Sequence, residues 1–217
     1  MVSMTVELSA AAASEVLKRL EIAYPNARIA LNFSNPLELL VATILSAQST
    51  DVGVNKITPA LFKRYRTASD YARAAAVELE GYIRSTGFYR NKAKNIIGAA
   101  TIMLRDFNGK VPCTMAEIIT LPGVARKTGN VVLYSAYGVI EGIAVDTHVL
   151  RLSRHLGLSA EKDPVKVERD LMGQAPKSKW GLFSFLLIDH GRAVCGARKP
   201  DCAGCVLSDI CPAALRV

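Results

Sequence analysis

Residues 121–148 read LPGVARKTGNVVLYSAYGVIEGIAVDTH, and this stretch decides how the rest of the chain is interpreted. Pro122 fixes its own φ, and Gly123 tolerates backbone angles that a side chain would forbid, so the chain can reverse tightly here. The pattern predicts a helix that begins near Arg126, preceded by a shorter helix whose start has capping-box spacing at Thr114. We therefore expect helix, hairpin and helix.

The start of the second helix has the features of an anion site. The unpaired N–H groups and the positive dipole end of a helix N-terminus suit a phosphate of a nucleic-acid backbone. Hydrogen bonds of this kind position a duplex without recognising its sequence. We expect Gly123, Ala125 and Arg126 at this contact.

Two side chains near the hairpin carry groups that can do chemistry. Lys127 falls on the first turn of the second helix, where its amine could attack an aldehyde carbon and form a Schiff base. Asp146 could stabilise a cationic sugar or move a proton. Both also have ordinary structural interpretations. A single helix lysine is most often a solvated surface residue, and an aspartate directly before a helix suits an N-cap.

The segments LPGVARKTGNVV and VDTHVLRL resemble the helix-hairpin-helix and the catalytic aspartate of the endonuclease III family of DNA glycosylases. The resemblance implies that Lys127 is the Schiff-base nucleophile and that Asp146 is the essential carboxylate. The family usually has glycine where this chain has Ala125, and alanine where it has Gly129. If position 125 requires a positive φ, alanine costs about 1–2 kcal/mol there, which would alter the hairpin and its phosphate affinity.

Two other segments carry candidate DNA contacts. The apolar helix LELLVATILSAQ ends in polar residues, and Gln48 among them fits a helix cap. By the resemblance, it instead matches a glutamine that enters the gap left when a nucleotide swings out of the duplex. Residues 86–94 mix two aromatic side chains with three cations, which is typical of a basic patch with apolar tips. Phe88 falls at the family's wedge position, usually leucine, although a core phenylalanine fits the residues equally well.

Four of the five cysteines lie close together, as Cys195, Cys202, Cys205 and Cys211, with the spacing C-x6-C-x2-C-x5-C. In a protein that is not secreted, such a group favours a metal site over disulfides. Four thiolates fit either zinc or an iron–sulfur cluster. The spacing resembles the 4Fe-4S pattern of the endonuclease III family, which implies that cluster as cofactor.

The cluster loop also carries two adjacent cations, Arg198 and Lys199, which we expect to bind DNA phosphates. The cysteine outside this group, Cys113, is predicted to be a small buried residue. His190 is expected to pack in the interior or cap a helix rather than to act as a fifth ligand.

The overall charge agrees with a nucleic-acid partner. The chain has 27 Lys and Arg against 19 Asp and Glu, a net charge of +8, and half of its 217 residues are hydrophobic. No apolar run reaches the ~18 residues of a membrane span, and the first residues lack the basic segment of a signal peptide. We expect a cytoplasmic protein of a prokaryote that associates with the nucleoid through DNA and contacts no membrane.

Helix start signals recur along the chain, at Ser14, Asn35-Pro36 and Asp163-Pro164, and alternation with a period of two is nowhere sustained. The sequence therefore predicts an all-α fold. The resemblance implies two helical lobes. One is a six-helix lobe over residues 28–140 that ends in the helix-hairpin-helix, and the other joins residues 1–27 to residues 141–217 and holds the cluster.

The resemblance implies a bifunctional DNA glycosylase and AP lyase of base-excision repair. It would act as a monomer on double-stranded DNA, remove damaged pyrimidines, oxidised ones foremost, and cleave abasic sites by β-elimination. Three alternatives stay open. One is a monofunctional mismatch glycosylase, whose known types have serine or tyrosine in place of Lys127. The others are a noncatalytic iron–sulfur protein that binds DNA or transfers electrons, and a zinc-binding structural module.

Overall fold

The computed structural model describes residues 10–214, and within that range the regular structure is helical with no strand. The all-α prediction is confirmed. The described range contains eleven α-helices: α1 (Ala10–Ala23), α2 (Pro36–Ser46), α3 (Asp51–Arg64), α4 (Ala68–Ala72), α5 (Ala76–Ile83), α6 (Tyr89–Asp106), α7 (Met115–Ile118), α8 (Arg126–Tyr137), α9 (Thr147–His155), α10 (Pro164–Gln174) and α11 (Trp180–Ala193). No helix of residues 10–214 is long and apolar enough to cross a membrane.

The chain divides into two compact units. We call Ile29–Glu141 the hairpin unit, because it contains the turn at Pro122 and Gly123. We call Met1–Arg28 together with Gly142–Val217 the cysteine unit, because it contains the four clustered cysteines.

The hairpin unit is built around α2. Asn35 caps this helix by accepting a hydrogen bond from the backbone N–H of Glu38, and Pro36 occupies its first turn, as the Asn-Pro signal predicts. Leu39, Leu40 and the neighbouring apolar residues of α2 are fully buried, because α3, α6 and α8 pack around the helix. The end of α2 and the start of α8 are therefore both fixed by this core.

The cysteine unit packs α1, α9, α10 and α11 around a second core. Asp163 caps α10, as predicted, by accepting hydrogen bonds from the N–H groups of Val165 and Lys166. Leu207, from the cysteine-rich segment, is fully buried in the same core. That segment is thus anchored to the helices by an apolar contact in addition to its thiols.

The predicted N-cap at Ser14 is wrong. Helix α1 already includes residues 10–13, and Ser14 lies inside it. Those four residues are alanines, which have the highest helix propensity, so the helix extends through them.

Candidate active site

The hairpin turn has the geometry that only glycine allows at its centre. The N–H of Val124 donates to the carbonyl of Leu121 over 3.1 Å, with Pro122 second in the turn and Gly123 third, at φ +80°. This is the pattern of a type II turn, which requires a positive φ at the third position. A Cβ on Gly123 would also lie 2.9 Å from Nδ2 of Asn95. Both the φ and the close approach to Asn95 therefore disfavour a side chain at this position.

The alanine at position 125 carries no strain. Ala125 has φ −92° and ψ 171°, an extended conformation that any residue adopts, so the cost of a positive φ does not arise. It is the N-cap of α8 and offers no side-chain acceptor, which leaves the N–H groups of the first helical turn without a side-chain cap. Alanine at this position is therefore compatible with the anion site that the sequence predicts.

The other departure, Gly129, has a packing reason. Gly129 is buried where α8 approaches α7, and a Cβ there would lie 2.8 Å from Sδ of Met115 and 3.2 Å from Cγ2 of Ile118. The space that an alanine methyl would fill is taken by the methionine. The exchange therefore preserves the contact between the two hairpin helices.

Lys127 is the second residue of α8 and is exposed to solvent. Its side chain forms no hydrogen bond or ion pair with any residue in the range 10–214. The neighbouring Arg126 is also exposed, and its guanidinium donates to the carbonyl of Glu141 over 3.3 Å. An exposed amine that no hydrogen bond holds can reach an electrophile.

Asp146 is the N-cap of α9, so the structural interpretation from the sequence is confirmed. Its Oδ1 accepts a 2.8 Å hydrogen bond from the N–H of Val149, and the side chain is half-buried. The cap does not use Oδ2. Capping fixes the orientation of the carboxylate and leaves one oxygen for another partner, so capping and chemistry are compatible in this residue.

Gln48 and Phe88 share an unusual backbone conformation. Both lie in the left-handed region, with φ +55° and +46°, and both side chains are exposed. Phe88 is 69% exposed, which excludes its interpretation as a core residue. Backbone strain of this kind costs about 1–3 kcal/mol per residue and persists only where surrounding structure enforces it. Two exposed side chains are therefore held outward in strained positions.

The basic-patch interpretation of residues 86–94 is wrong for Lys92. Its side chain is only 4% exposed, and its ammonium group is hydrogen-bonded inside the hairpin unit. A sequence signal for this existed, because Lys92 lies at helical spacing from the buried residues Ile96, Ala99 and Met103 of α6. The cation belongs to the buried stripe of the helix.

The four clustered cysteines line one cavity of about 190 Å³. Burial raises the pKa of the Cys195 and Cys205 thiols, and the other thiols of the group raise it further. Within residues 10–214, no three His, Cys, Asp or Glu side chains converge closely enough to hold one metal ion. The four thiols therefore line a cavity and do not converge on a single metal position.

Two histidines border the same cavity. Nδ1 of His155 lies 3.6 Å from Sγ of Cys195, and Nε2 of His190 lies 3.4 Å from Sγ of Cys205. The other ring nitrogen of His190 is 3.0 Å from the hydroxyl of Tyr24, and the residue is 2% exposed. His190 is packed in the interior, as expected, and burial lowers its pKa.

The remaining predicted residues lie at the surface. Arg198 and Lys199 are exposed on the loop between Cys195 and Cys202, which folds back through a 3.0 Å bond from the Asp201 N–H to the Val194 carbonyl. Cys113 is exposed, so its prediction as a buried residue is wrong. It follows Pro112 in the segment between α6 and α7, outside any helix.

Residues 41–177 match the family model described as "HhH-GPD superfamily base excision DNA repair protein". The chain is 54% identical to endonuclease III of Synechocystis sp. over 202 residues, covering 93% of this chain and 92% of that protein. It is 42% identical to endonuclease III of Escherichia coli over 91% of this chain and 93% of that one. A solved structure of a trapped endonuclease III–DNA covalent intermediate matches with a TM-score of 0.91 and 41% identity, over 96% of this chain and 98% of that one.

Proposed function

This chain belongs to the endonuclease III family of the HhH-GPD superfamily, and we propose how its own residues carry out that family's reaction. It is a bifunctional DNA glycosylase and AP lyase of base-excision repair. The observation that carries the assignment of roles is Lys127, an exposed and unbonded amine on the first turn of the helix that follows the hairpin.

Lys127 is the nucleophile of this proposal. Its Nζ, as the free amine, attacks C1′ of the damaged nucleotide and forms a new N–C bond while the bond between C1′ and the base breaks. The base departs with the bonding electrons. The attached nitrogen then loses a proton, and its lone pair forms the C=N bond of the Schiff base as the C1′–O4′ bond breaks and O4′ takes up a proton. Loss of a proton from C2′ next drives β-elimination of the 3′ phosphate, and water releases the lysine.

Asp146 supplies the carboxylate. Its Oδ1 is held by the N–H of Val149, so the carboxylate is oriented before substrate arrives. The oxygen that the cap does not use can stabilise positive charge developing on the sugar or transfer a proton during the elimination.

The DNA contacts divide into phosphate-binding and duplex-inserting groups. The uncapped N-terminal turn of α8, with Gly123, Ala125 and Arg126, binds a backbone phosphate, and Arg198 and Lys199 bind others. Gln48 and Phe88, exposed and held in left-handed conformations, enter the duplex beside a nucleotide that is swung out.

Cys195, Cys202, Cys205 and Cys211 would hold a 4Fe-4S cluster. Their arrangement around one cavity of about 190 Å³, with apolar side chains such as Leu152 and Leu156 on its wall, suits a group larger than a single ion. A bound cluster would cross-link the segment that displays Arg198 and Lys199. A broad visible absorption band with matching iron and sulfide content tests this, because zinc would be colourless.

The substrate is double-stranded DNA with damaged pyrimidines, oxidised ones foremost, or with abasic sites. The net charge of +8 supports a polyanionic partner. We further propose that the protein acts as a monomer, in the cytoplasm of a prokaryote, bound to the nucleoid through DNA.

Borohydride trapping tests the nucleophile. The natural chain is incubated with duplex DNA that contains either an abasic site or an oxidised pyrimidine, beside Lys127→Ala and the matched control Lys110→Ala, another exposed lysine of the hairpin unit. The natural chain and the control should crosslink to both duplexes, and Lys127→Ala to neither. No crosslink by the natural chain, or an undiminished one by Lys127→Ala, would overturn the assignment.

A further inference from the structure

Lys92 is a buried cation whose three N–H groups are all used. Its Nζ donates to the carbonyl of Leu45 over 2.7 Å, to the carbonyl of Thr86 over 2.8 Å and to Oγ of Ser49 over 3.1 Å. The side chain is 4% exposed. An ammonium group has three donors and no acceptor, so this set of partners satisfies it completely.

The three acceptors belong to two separate loops. Leu45 lies in the last turn of α2, whose carbonyls have no partner within the helix, and Ser49 follows in the next loop. Thr86 ends the short 3-10 helix Arg84–Thr86, more than thirty positions further along the chain. The hydroxyl of Ser49 also donates directly to the carbonyl of Thr86. Lys92 and Ser49 thus tie the end of α2 to the start of α6.

Each of the two tied segments carries an exposed side chain on a left-handed backbone, Gln48 in one and Phe88 in the other. Gln48, at φ +55°, lies between Leu45 and Ser49, both of which bind the ammonium of Lys92. Phe88, at φ +46°, lies two residues after Thr86, and its carbonyl accepts a 3.1 Å bond from the backbone N–H of Lys92. Lys92 therefore bonds a backbone carbonyl before Gln48 and the Ser49 hydroxyl directly after it, and it bonds the carbonyls of both Thr86 and Phe88.

The burial of this charge is not compensated by a carboxylate. Among residues 10–214, Lys92 forms no ion pair, and desolvation lowers its pKa. Only neutral oxygens, including carbonyls at the negative end of α2, stabilise the cation. A buried apolar side chain would avoid the desolvation cost, but it could not bond both loops at once.

We propose that Lys92 is a positioning residue that holds Gln48 and Phe88 at a fixed separation and orientation before DNA binds. This inference rests on the proposed duplex-inserting roles of those two residues. Groups held in their working geometry in the free protein need no ordering on binding, and small displacements of such groups reduce rates strongly. Lys92 touches neither DNA nor the reacting sugar in this role.

The test compares Lys92→Met with Lys110→Met. Methionine keeps the length and the buried stem of Lys92 but donates no hydrogen bond, and Lys110 is an exposed lysine of the same unit. Unstacking of the duplex is followed by the fluorescence of 2-aminopurine placed beside an oxidised pyrimidine. Amide hydrogen exchange is followed by mass spectrometry in the free proteins.

We expect Lys92→Met to reduce the rate of duplex unstacking by roughly 10- to 100-fold and Lys110→Met to leave it unchanged. Exchange in Lys92→Met should accelerate more in residues 46–50 and 86–88 than in α8, beyond the increase that a lower global stability gives to all amides. If Lys92→Met does not fold, Ser49→Ala provides the test. It removes one of the three acceptors of the Lys92 ammonium group and the Ser49–Thr86 bond, but it keeps the lysine itself. Its expected loss is smaller, about 3- to 10-fold.

Two results would overturn the proposal. Unchanged unstacking in the folded variant would show that the loops need no clamp. A loss of exchange protection as large in α8 as in residues 46–50 and 86–88 would show a general stabilising role instead. The proposed function fails separately, when the natural chain gives no borohydride crosslink to an abasic duplex. A natural chain that crosslinks while Lys92→Met unstacks DNA normally would overturn only the positioning role.

Discussion

Two lysines of the hairpin unit occupy opposite environments. Lys127 is exposed and forms no bond within the described residues, whereas Lys92 is 4% exposed and donates three hydrogen bonds. A reacting amine must lose its proton and change partners during a reaction, so bonds that fix it would oppose the chemistry. A positioning group gains from every bond. In these proposed roles, the number of hydrogen bonds that each ammonium group forms, rather than its charge or residue type, distinguishes the nucleophile from the positioning residue.

The same substitution at both lysines tests most directly whether the two residues have different roles. Lys127→Met should lower borohydride crosslinking to an abasic duplex by about 10³-fold or more, and should change the free energy of unfolding by no more than about 0.5 kcal/mol. Lys92→Met should lower the free energy of unfolding by about 1–3 kcal/mol, because the Leu45 carbonyl loses its side-chain donor and the Thr86 carbonyl loses one of two. Trapping assays and urea titrations measure both quantities. Equal destabilisation by the two variants would contradict the division.

Asp146 has one carboxylate oxygen that is hydrogen-bonded and one that the cap does not use, so it provides the next test. Asp146→Asn keeps the acceptor that caps α9, so stability should change by less than about 0.5 kcal/mol. Loss of the negative charge should reduce single-turnover base release by about 10²- to 10⁴-fold. Asp146→Ala should lose the activity and also about 1 kcal/mol of stability. An active Asp146→Asn would confine the residue to capping.

Two cysteines allow the same comparison between a half-buried and an exposed side chain. Cys205→Ser alters a half-buried thiol of the cavity, and Cys113→Ser alters an exposed one. Cys205→Ser should lose visible absorption and bound iron and should melt at a lower temperature. Cys113→Ser should keep both properties, with stability within about 0.5 kcal/mol. Absorption spectra, iron analysis and thermal melts decide. A fully coloured Cys205→Ser would remove this residue from the ligand set.

The smallest expected effect compares two hairpin residues that have no reactive group. Gly123→Ala should cost about 1–2 kcal/mol, because Gly123 has a positive φ and a Cβ would approach Asn95. Ala125→Gly should cost only about 0.5–1 kcal/mol, through the greater freedom of the unfolded chain. Chemical denaturation measures both. If Ala125→Gly stabilised the protein, position 125 would require the conformation of glycine after all.

The sequence was most informative where a residue acts through its own backbone or neighbours. Pro122 and Gly123 predicted the turn, and Asn35 and Asp163 predicted helix starts, because caps and turns depend on the residues next to them in the chain. The all-α class followed from the same signals. The prediction of an N-cap at Ser14 failed because the four alanines before it have a high helix propensity, which outweighs the preference of serine for the N-cap position.

Long-range packing was out of reach for the same reasoning. Lys92 looked like part of a basic patch because its partners, Leu45 and Ser49, are more than forty residues away in the chain. The left-handed φ of Gln48 and Phe88 had no sequence signal either, since neither residue is a glycine or asparagine. The ease with which Ala125 fits an extended N-cap became clear only from the backbone angles.

The joint between Thr86 and Lys92 limits how the length of this chain can change. Lys92 bonds the Thr86 carbonyl through its side chain and the Phe88 carbonyl through its backbone N–H. Helix α6 begins at Tyr89, between Phe88 and Lys92. Inserting or deleting one residue there would rotate Lys92 by about 100° around the helix axis and turn its ammonium away from both loops. Such a change should be far less tolerated than one in the exposed segment around Asn108 and Lys110. Among variants of this protein, the register of residues 86–92 should therefore be invariant even where their identities are not.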